Sequence, residues 1–375
     1  MKRRKILIDA NPIVPYLVSR RISGIGRTCL ELINGLNKIP LEELPIDIAL
    51  YTQNLKGVSA KQVGTKFKTV HGYLRNNETG NKWAKRLHLR EMLYRYDLQH
   101  ITHNFEQVVD PSRCIVTVHD AMFFSYPEAF LGAEENRKKI PPFVRKAAHI
   151  ITISENSKRE IIEYMDVPAE RITVIPWGVD HQLLYPHLSG NNRWTHDAPY
   201  FISVSCDIGR KNTITLLHAY CKFAKNNPTH HLILVWRNPS EDALKIAKSS
   251  DVKGLVHFAK NLSNEELADL YAGATASFFP SLYEGFGLPI VESMACGVPC
   301  VTARNSSLEE VGGDAALYVE PLDVDAICDV MEDFENEVYD LVQLRAASLA
   351  QASRFTWERC AKSTVEVYKQ CLQIG

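Results

Sequence analysis

A chain of 375 residues exceeds the ~250–300 residues at which single cores stop growing, so its length predicts two domains. Its 45% hydrophobic and 23% charged residues exclude a disordered or fibrous protein. No apolar run reaches the ~18 residues of a membrane-spanning helix, and the run at residues 6–8 is too short for a secretory signal.

The net charge of −1 is unevenly distributed along the chain. Residues 1–190 contain 27 lysine and arginine residues against 20 aspartate and glutamate residues, and the remainder contains 16 against 24. Such asymmetry indicates different partners for the two halves. The nine cysteines form no CxxC pair and no zinc-like spacing with histidine, which favours a reducing cytoplasm.

Short apolar runs alternate with helical patterns along the whole chain. Five runs in the first half predict buried strands, at residues 5–10, 46–52, 100–104, 114–120 and 149–154. Helical patterns such as those at residues 26–36 and 136–147 separate them, and a last strand lies within residues 171–180. The polar segment at residues 187–197 is a candidate linker. Six further predicted strands lie at residues 200–206, 231–237, 254–260, 274–280, 299–303 and 316–321.

Strands that alternate with helices are typical of parallel, doubly wound sheets. The two series therefore predict an α/β protein with two Rossmann-like domains facing a central cleft. Ligands of such sheets bind beyond the carboxyl ends of the strands, so we expect functional residues in loops that directly follow strands.

The segment PSLYEGFGLPIVESMACGVPCVTA, residues 280–303, contains two glutamates eight positions apart. Its glycine-containing loop follows a predicted strand, Pro289 suits the first position of a helix, and Gly297 suits the helix end. The free N–H groups of such a helix bind anions, phosphate above all. Glu292, in the predicted first turn, offers two oxygens to a vicinal diol such as a ribose, and Glu284 lies nearer the reactive end of the ligand. The alternative is that Glu292 only helps the helix to start and Glu284 is a solvated loop residue.

Two adjacent cations, Arg210 and Lys211, lie between a predicted strand and a predicted helix. Such a pair neutralises a diphosphate leaving group, as a divalent metal does in other enzymes. An ordinary surface Arg-Lys pair is the alternative.

The sequence RRISGIGR places Gly24 and Gly26 before the first long helix. It fails as a dinucleotide fingerprint, because a third glycine at the required spacing and an acidic ribose ligand are both missing. A turn that caps a helix and a loop that approaches a ligand both fit this pattern.

His119 and Asp120 are the last two residues of a predicted buried strand. We expect the imidazole to face the ligand site, with Asp120 orienting its ring. The alternative is a structural histidine, which is the commoner role of an isolated one.

Two further patterns have simpler explanations. The DVD sequence at residues 323–325 looks like an Asp-x-Asp metal motif, but it opens a predicted helix, so we expect Asp323 to cap that helix. The basic amphipathic stretch at residues 81–100 is typical of a helix with a solvated basic face. Contact with an anionic membrane surface or a lipid-diphosphate acceptor is the alternative, and no nucleic-acid-binding motif accompanies the stretch.

The longer segment SLYEGFGLPIVESMACGVPCVTARNSSLEEVGGDAALYVEP resembles the signature of the retaining glycosyltransferases of family 4, which have the GT-B fold. The resemblance extends over nearly the whole chain, being strongest at residues 171–321 and weak at residues 40–100. It implies that Glu284 approaches the donor sugar and that Glu292 holds the nucleotide ribose. It also implies main-chain contacts to the sugar and diphosphate from Phe286, Gly287 and Leu288.

The same resemblance implies roles for residues outside this segment. Lys211 matches a lysine of the family, whereas the family's arginine aligns with Cys206, which makes Arg210 the candidate replacement. Gly24 corresponds to a glycine of the family's N-terminal loop, and His119 to a histidine that contacts the donor sugar.

The resemblance thus implies transfer of a hexosyl group from a GDP- or UDP-linked sugar to a hydroxyl of a glycan or lipid-linked glycan. It implies retention by same-face attack, without metal or other cofactor. Residues 1–178 would receive the acceptor, with His103 and Asn104 on that side, and residues 179–358 would bind the nucleotide sugar. A helix at about residues 359–375 would pack back onto the first domain.

The implied setting is surface polysaccharide synthesis in the cytoplasm, with peripheral contact of the basic first domain with the inner face of the membrane. Nucleic acid is not an expected partner. Three alternatives stay open: a GT-B nucleotide-sugar epimerase, which needs no acceptor, a non-catalytic nucleotide-sugar-binding subunit, and a nicotinamide dehydrogenase. The dehydrogenase ranks lowest because the dinucleotide fingerprint is incomplete.

Overall fold

The computed structural model describes residues 3–20, 22–130, 132–187, 198–204, 209–226, 228–249 and 252–374. The chain divides into two compact units, Met1–Gly178 with Trp357–Gly375, and Val179–Thr356. Each unit is a parallel sheet with helices on its faces, so the predicted α/β, Rossmann-like architecture is confirmed.

Seven parallel strands form the sheet of the first unit, in the spatial order β3-β2-β1-β4-β5-β6-β7. Their bounds are β1 Arg4–Asp9, β2 Ile46–Gln53, β3 Lys68–Gly72, β4 Leu98–Ile101, β5 Cys114–Thr117, β6 His149–Thr152 and β7 Ile172–Val174. In β1, Ile6, Leu7 and Ile8 are completely buried because helices cover both faces of the sheet. The edge strand β3 was not predicted, since its sequence KTVHG contains a single aliphatic residue.

Seven helices of the first unit lie between these strands: α1 Val14–Ser19, α2 Gly24–Lys38, α3 Glu78–Arg86, α4 Leu89–Leu93, α5 Met122–Ser125, α6 Ala133–Val144 and α7 Glu155–Met165. The basic stretch at residues 81–100 is therefore two short helices followed by a strand, and the prediction of one helix there is wrong. The break lies at His88, whose φ of 50° is left-handed and cannot continue an α-helix.

Six parallel strands form the sheet of the second unit, in the order β10-β9-β8-β11-β12-β13. They are β8 Tyr200–Val204, β9 His231–Val235, β10 Val256–Ala259, β11 Ala276–Phe279, β12 Cys300–Ala303 and β13 Ala316–Val319. Its helices are α8 Thr213–Phe223, α9 Glu241–Ala247, α10 Asn264–Ala272, α11 Leu288–Ala295, α12 Leu308–Gly312, α13 Val324–Glu335 and α14 Leu341–Ala352.

The last helix, α15 Trp357–Leu372, belongs to the first unit. It packs closely on α2: a Cβ at Gly35 would lie 2.7 Å from the Trp357 carbonyl oxygen, so only glycine fits there. Ala361 and Tyr368 are completely buried in the core formed with β1 and β2. Tyr368 also bonds the buried His100 of β4, with its hydroxyl 2.6 Å from the ring Nδ1.

The strand order of each sheet identifies where a ligand is expected. In the first sheet the first three strands are added toward one edge and β4 to β7 toward the other, so the strand order reverses between β1 and β4. In the second sheet it reverses between β8 and β11. Loops that leave the carboxyl ends of such a strand pair diverge and open a crevice, which is where doubly wound sheets bind ligands. Among the described residues, no helix has both the length and the apolarity needed to cross a membrane.

Candidate functional site

The loops after β8 and β11 are held together by hydrogen bonds. The Leu282 N–H donates to the Arg210 carbonyl oxygen at 2.7 Å. The Asn212 amide donates to the carbonyl oxygens of Pro280, at 3.0 Å, and Pro321, at 2.5 Å. Residues 209–212 and the loop after β11 are therefore held against each other at the switch point of the second sheet.

Glu284 lies between two cations on this surface. Its Oε2 is 2.6 Å from Nη1 of Arg210, and its Oε1 is 2.7 Å from Nζ of Lys211. The glutamate is only 6% exposed. Burial by itself raises the pKa of Glu284, but Lys211 and Arg210 outweigh it and hold that pKa below its usual value. We call these three side chains the donor cluster; its formal charge at neutral pH is positive.

The loop that contains Glu284 is fixed by two serines that follow β12. The Glu284 N–H donates to the Ser306 hydroxyl at 3.0 Å, and the Ser307 hydroxyl lies 2.8 Å and 2.9 Å from the carbonyl oxygens of Glu284 and Phe286. Glu284 is thus not a solvated loop residue, and Arg210 and Lys211 are not an ordinary surface pair. Sequence reasoning missed both serines, although their position directly after a predicted strand was a usable signal.

Helix α11 follows this loop and corrects two predictions. It begins at Leu288, with Gly287 as its N-cap, so Pro289 is its second residue rather than its first. Glu292 is the fifth residue, and no acidic residue lies in the first turn. Glu292 is instead buried, at 4% exposure, with the Tyr271 hydroxyl 3.4 Å from its Oε2. The interpretation that Glu292 merely helps the helix to start is therefore wrong.

Gly287 is required by the backbone at the start of α11. Its φ of 102° is strained for other residues, and a Cβ there would lie 3.0 Å from Cδ2 of Leu308. Phe286 is 3% exposed and packs on Phe355, with 5.7 Å between ring centroids. The side chain of Phe286 is thus part of the core, and its carbonyl oxygen accepts from the Ser307 hydroxyl.

Two predicted site residues, Gly24 and His119, belong to the first unit. Gly24 is the first residue of α2, and a Cβ there would meet nothing within 4 Å. A Cβ at Gly26 would lie 2.6 Å from the Pro12 carbonyl oxygen. Packing therefore requires glycine at position 26 and leaves open space at position 24.

His119 lies two residues beyond the end of β5 and is 6% exposed. Its Nε2 is 3.2 Å from the Thr102 carbonyl oxygen, and its Nδ1 has no hydrogen-bond partner. Burial lowers the pKa of His119 to about 4, so the ring is neutral at pH 7. A carbonyl only accepts, so the proton is on Nε2 and the Nδ1 lone pair is unused.

The prediction that Asp120 orients the His119 ring is wrong. The Thr102 carbonyl holds the ring, whereas Asp120 accepts a hydrogen bond from the Met122 N–H at 3.1 Å. Asn104, predicted on the acceptor side, accepts from the His119 N–H at 3.0 Å.

A cavity of about 530 Å³ lies at the switch point of the first sheet, and His103 lines it. Beside it lies a buried cluster that sequence reasoning missed: Arg90 Nη2 is 3.5 Å from Oδ2 of Asp9 and 3.4 Å from Oε2 of Glu106. We call these three side chains the acidic cluster. The position of Asp9 at the end of a predicted strand was the only signal for it.

Two remaining predictions concern Cys206 and Asp323. Cys206 lies outside the described residues, so the replacement of the family's arginine by Arg210 stays a prediction. Asp323 caps α13, as predicted, by accepting hydrogen bonds from the N–H groups of Asp325 and Ala326 at 2.9 and 3.0 Å.

Two family models match the chain. The model described as "Glycosyltransferase Family 4" matches residues 22–183, and the model described as "Glycosyl transferases group 1" matches residues 187–348. Together they account for most of both units and confirm the resemblance found in the sequence.

The chain is also similar to characterised proteins and solved structures. It is 29% identical to the O-antigen chain mannosyltransferase B of Escherichia coli, over 97% of this chain and 99% of that protein. Sucrose-phosphate synthase of Thermosynechococcus elongatus superposes with a TM-score of 0.74 at 18% identity, covering 99% and 100% of the two chains. The Anabaena protein HepE, solved with UDP and glucose, gives 0.71 at 16% identity, covering 98% and 100%. These structures confirm the GT-B fold class.

Proposed function

The chain belongs to glycosyltransferase family 4, and from this premise we propose that it transfers a hexosyl group from a nucleoside-diphosphate sugar to a hydroxyl of a glycan or lipid-linked glycan. We further propose retention of the anomeric configuration and a role in surface polysaccharide synthesis. The Escherichia coli relative is named an O-antigen chain mannosyltransferase, which makes mannose from a GDP-linked donor the first candidate. UDP-linked hexoses are the second, because HepE was solved with UDP and glucose.

One observation supports this proposal above all: the donor cluster pairs the buried Glu284 with the partly exposed Arg210 and Lys211, carries a net positive charge and lies at a switch point. A single carboxylate cannot neutralise two cations. A diphosphate would supply the missing negative charge, and the amino end of α11 would add N–H donors nearby. As the bond to the sugar breaks, the two cations would stabilise the charge that develops on the leaving diphosphate.

Glu284 has a separate part in this proposal. Without a donor it pairs with both Arg210 and Lys211; with a diphosphate on these cations, its carboxylate is released to accept from hydroxyls of the donor sugar. The buried Glu292 would accept from the two ribose hydroxyls. Main-chain groups of Phe286, Gly287 and Leu288 would contact the sugar and diphosphate, which agrees with the buried side chain of Phe286.

The first unit would contribute His119 and Gly24 to donor binding. The unused Nδ1 lone pair of His119 suits a hydroxyl donor, since a neutral imidazole with its proton on Nε2 can only accept at Nδ1. The open space at Gly24 would let a ligand approach the first turn of α2.

We propose same-face attack without a metal ion. The acceptor oxygen bonds the anomeric carbon as the bond to the diphosphate oxygen breaks, and the leaving phosphate takes the acceptor's proton. Arg210 and Lys211 supply the positive charge that a divalent metal supplies elsewhere. Transfer should therefore persist in a chelator, and a strict requirement for magnesium would contradict this step.

Membrane contact is a further part of the proposal, through exposed residues of α3, α4 and the turn between them. Trp83 is 49%, Leu87 51% and Met92 75% exposed, and the cations Lys85 and Arg86 lie beside them. Aromatic and apolar side chains next to cations suit an anionic lipid surface. The wild-type chain should co-sediment with anionic phosphatidylglycerol vesicles and not with phosphatidylcholine vesicles. Arg86→Glu should weaken the binding to phosphatidylglycerol vesicles. Equal binding to both lipids would contradict it.

A donor screen followed by product analysis tests the function. GDP-, UDP-, dTDP- and ADP-sugars are screened by thermal shift, and the stabilising donor is incubated with glycan acceptors. The wild-type chain should form a glycosidic product with the anomeric configuration of the donor, and Glu284→Ala should not form it. An isomerised nucleotide sugar formed from donor alone would instead identify an epimerase. Donor binding without any product, and cellular function unchanged in Glu284→Ala, would identify a non-catalytic subunit.

A further inference from the structure

The cavity of about 530 Å³ in the first unit has the size of a small-molecule site. Residues of the segments after β1 and β4 line it, together with residues of α3 and α6. It lies at the switch point of its sheet, as the donor cluster does in the second unit. The chemistry of its lining indicates what it binds.

The deepest polar group in this lining is Asn11, which is 4% exposed. Its Oδ1 accepts from the Gln53 N–H at 2.7 Å, which fixes the orientation of the amide. Its Nδ2 has no hydrogen-bond partner. An unsatisfied buried donor is unfavourable unless a ligand or water accepts from it, which favours a ligand hydroxyl that reaches this amide.

Glu106 supplies a carboxylate to the same lining and is 5% exposed. Arg90, itself 3% exposed, holds it in place, because one guanidinium forms ion pairs with two carboxylates and a hydrogen bond to a carbonyl oxygen. Its Nη2 lies 3.4 Å from Oε2 of Glu106 and 3.5 Å from Oδ2 of Asp9, and its Nη1 donates to the Gln107 carbonyl oxygen at 2.7 Å. The carboxylate is thus preorganised as a hydroxyl acceptor.

The rest of the lining is suited to a sugar ring. Pro12, Pro15, Ile25 and Phe105 form an apolar surface for the C–H face of a ring, while Asn81 and Ser23 add polar groups. Among the described lining residues, Lys139 is the one lysine or arginine, and it is ion-paired with Glu135 of the same helix. The one histidine of the described lining, His103, lies with its Nε2 3.9 Å from Oε2 of Glu106. A phosphate or carboxylate would therefore meet carboxylates and no lysine or arginine without a carboxylate partner.

We propose that this cavity binds one uncharged hexose unit of the acceptor, with hydroxyls held by Asn11 and Glu106, and that it excludes acceptors presenting a phosphate or carboxylate there. This inference rests on the proposed glycosyl transfer, because the bound hexose is an acceptor only in that reaction. Arg90 is a positioning residue, because it acts through Glu106. The selectivity comes from like-charge repulsion and from the missing cation, both of which disfavour an anion.

The test compares two probes on the full chain without nucleotide: methyl α-mannopyranoside, which is neutral, and mannose 6-phosphate, which is anionic. Saturation-transfer NMR titrations should give an affinity at least roughly tenfold higher for the neutral probe. Glu106→Gln should weaken the neutral probe by roughly tenfold while GDP or UDP binding to the second unit is unchanged. Equal affinity for both probes, or no binding of either, would overturn the inference.

Helix α6 offers a matched pair of variants for the charge argument. Glu135 and Glu134 are neighbours, each is paired with the lysine four positions later, and only Glu135 lines the cavity. Glu135→Lys should raise the affinity for mannose 6-phosphate roughly tenfold, and Glu134→Lys should change it less than about threefold. The same change in both variants would show a long-range charge effect and overturn the inference.

The two proposals fail in different ways. If sugar probes bind as expected but no nucleotide sugar binds the chain, the proposed function is wrong and the ligand class of the cavity stands. If a glycosidic product forms but Glu106→Gln leaves acceptor KM and kcat unchanged, the cavity inference is wrong and the function stands.

Discussion

The two switch points of this molecule each hold a cluster of charged side chains, and the balance of charge is opposite in the two. In the donor cluster, Arg210 and Lys211 share the single carboxylate of Glu284. In the acidic cluster, the single cation Arg90 lies between Asp9 and Glu106. The fold gives both clusters the same topological position, so the side chains alone decide what each one binds.

The difference explains why one fold can serve two ligands. A cluster with excess positive charge suits a diphosphate, and a cluster with excess negative charge suits hydroxyl groups and repels anions. Buried ion pairs are weak evidence for stability, because desolvation offsets their attraction. Their presence at both switch points therefore favours a role in ligand binding over a role in stability.

The largest expected effect is on transfer by Glu284→Ala, and it separates the role of Glu284 in transfer from the role of the two cations in nucleotide binding. Glu284→Ala should lower transfer by about 10²–10⁴-fold, which is what catalytic groups of this kind contribute. The same variant should bind GDP or UDP as tightly as the wild type or more tightly, because the competing carboxylate is gone. Calorimetric titration and a product assay measure the two quantities.

Lys211→Met is the matched control for this variant. It should weaken nucleotide binding by roughly 10- to 100-fold, since a hydrogen bond to a charged group contributes ~1.5–3 kcal/mol. If Glu284→Ala and Lys211→Met weaken nucleotide binding alike, Glu284 does not compete with the diphosphate.

Breaking the acidic cluster should mainly affect the stability of the first unit. Arg90→Met leaves Asp9 and Glu106 buried without their cation, which should cost about 3–5 kcal/mol. Hydrogen exchange resolved by peptide should show faster exchange in β1, β2 and β4 and unchanged exchange in β8 and β11. Equal loss of protection in both units would contradict this local effect.

On acidification, the first unit should lose stability at a higher pH than the pH at which the ion pairs of Glu284 in the second unit are lost. Burial lowers the pKa of His100 to about 3 and that of His119 to about 4, from 6.5. Below pH 6.5 the unfolded chain binds protons that these buried rings cannot, so stability should fall by on the order of 2–3 kcal/mol per histidine by pH 4. Glu284 behaves differently: its lowered pKa means that its stabilisation persists above 4.5 and is lost only in stronger acid.

Urea unfolding followed by peptide-resolved hydrogen exchange between pH 7 and 4.5 measures this difference. His119→Asn is the control and should make the pH dependence of the first unit shallower. A first unit whose stability is flat over this range would contradict the buried, neutral state of both histidines.

The smallest expected effect concerns the two glycines before α2. Gly26→Ala should destabilise the chain by about 1–3 kcal/mol, because its Cβ would lie 2.6 Å from a backbone oxygen. Gly24→Ala should change stability by less than about 0.5 kcal/mol and act on donor KM instead. Thermal unfolding and steady-state kinetics distinguish the two, and a Gly24→Ala variant with normal KM would remove Gly24 from the donor site.

The sequence predicted the architecture well because its signals are local. Runs such as residues 5–10 and 231–237 are apolar enough to be buried on both faces, and both became central or near-central strands. The edge strand β3 was missed because a half-buried strand has a weaker pattern. The break at His88 was missed because a single left-handed residue leaves little trace in a helical pattern.

The sites were predicted less completely because they depend on contacts between distant residues. The segment around Glu284 was recognisable, but its pairing with Arg210 joins positions more than seventy residues apart. The first-turn position of Glu292 was wrong because the helix starts at Leu288 and buries this carboxylate. The acidic cluster was not predicted, because its members are also distant in the sequence. Asp9 at the end of a predicted strand was one signal, but Arg90 lies in a stretch whose sequence is typical of a solvated basic helix.

A structure of the chain with its nucleotide diphosphate tests the central claim most directly. We expect diphosphate oxygens at about 3 Å from Arg210 and Lys211 and beside the amino end of α11, with the Glu284 carboxylate displaced from at least one cation. A nucleotide bound elsewhere, with both Glu284 ion pairs intact, would contradict the account.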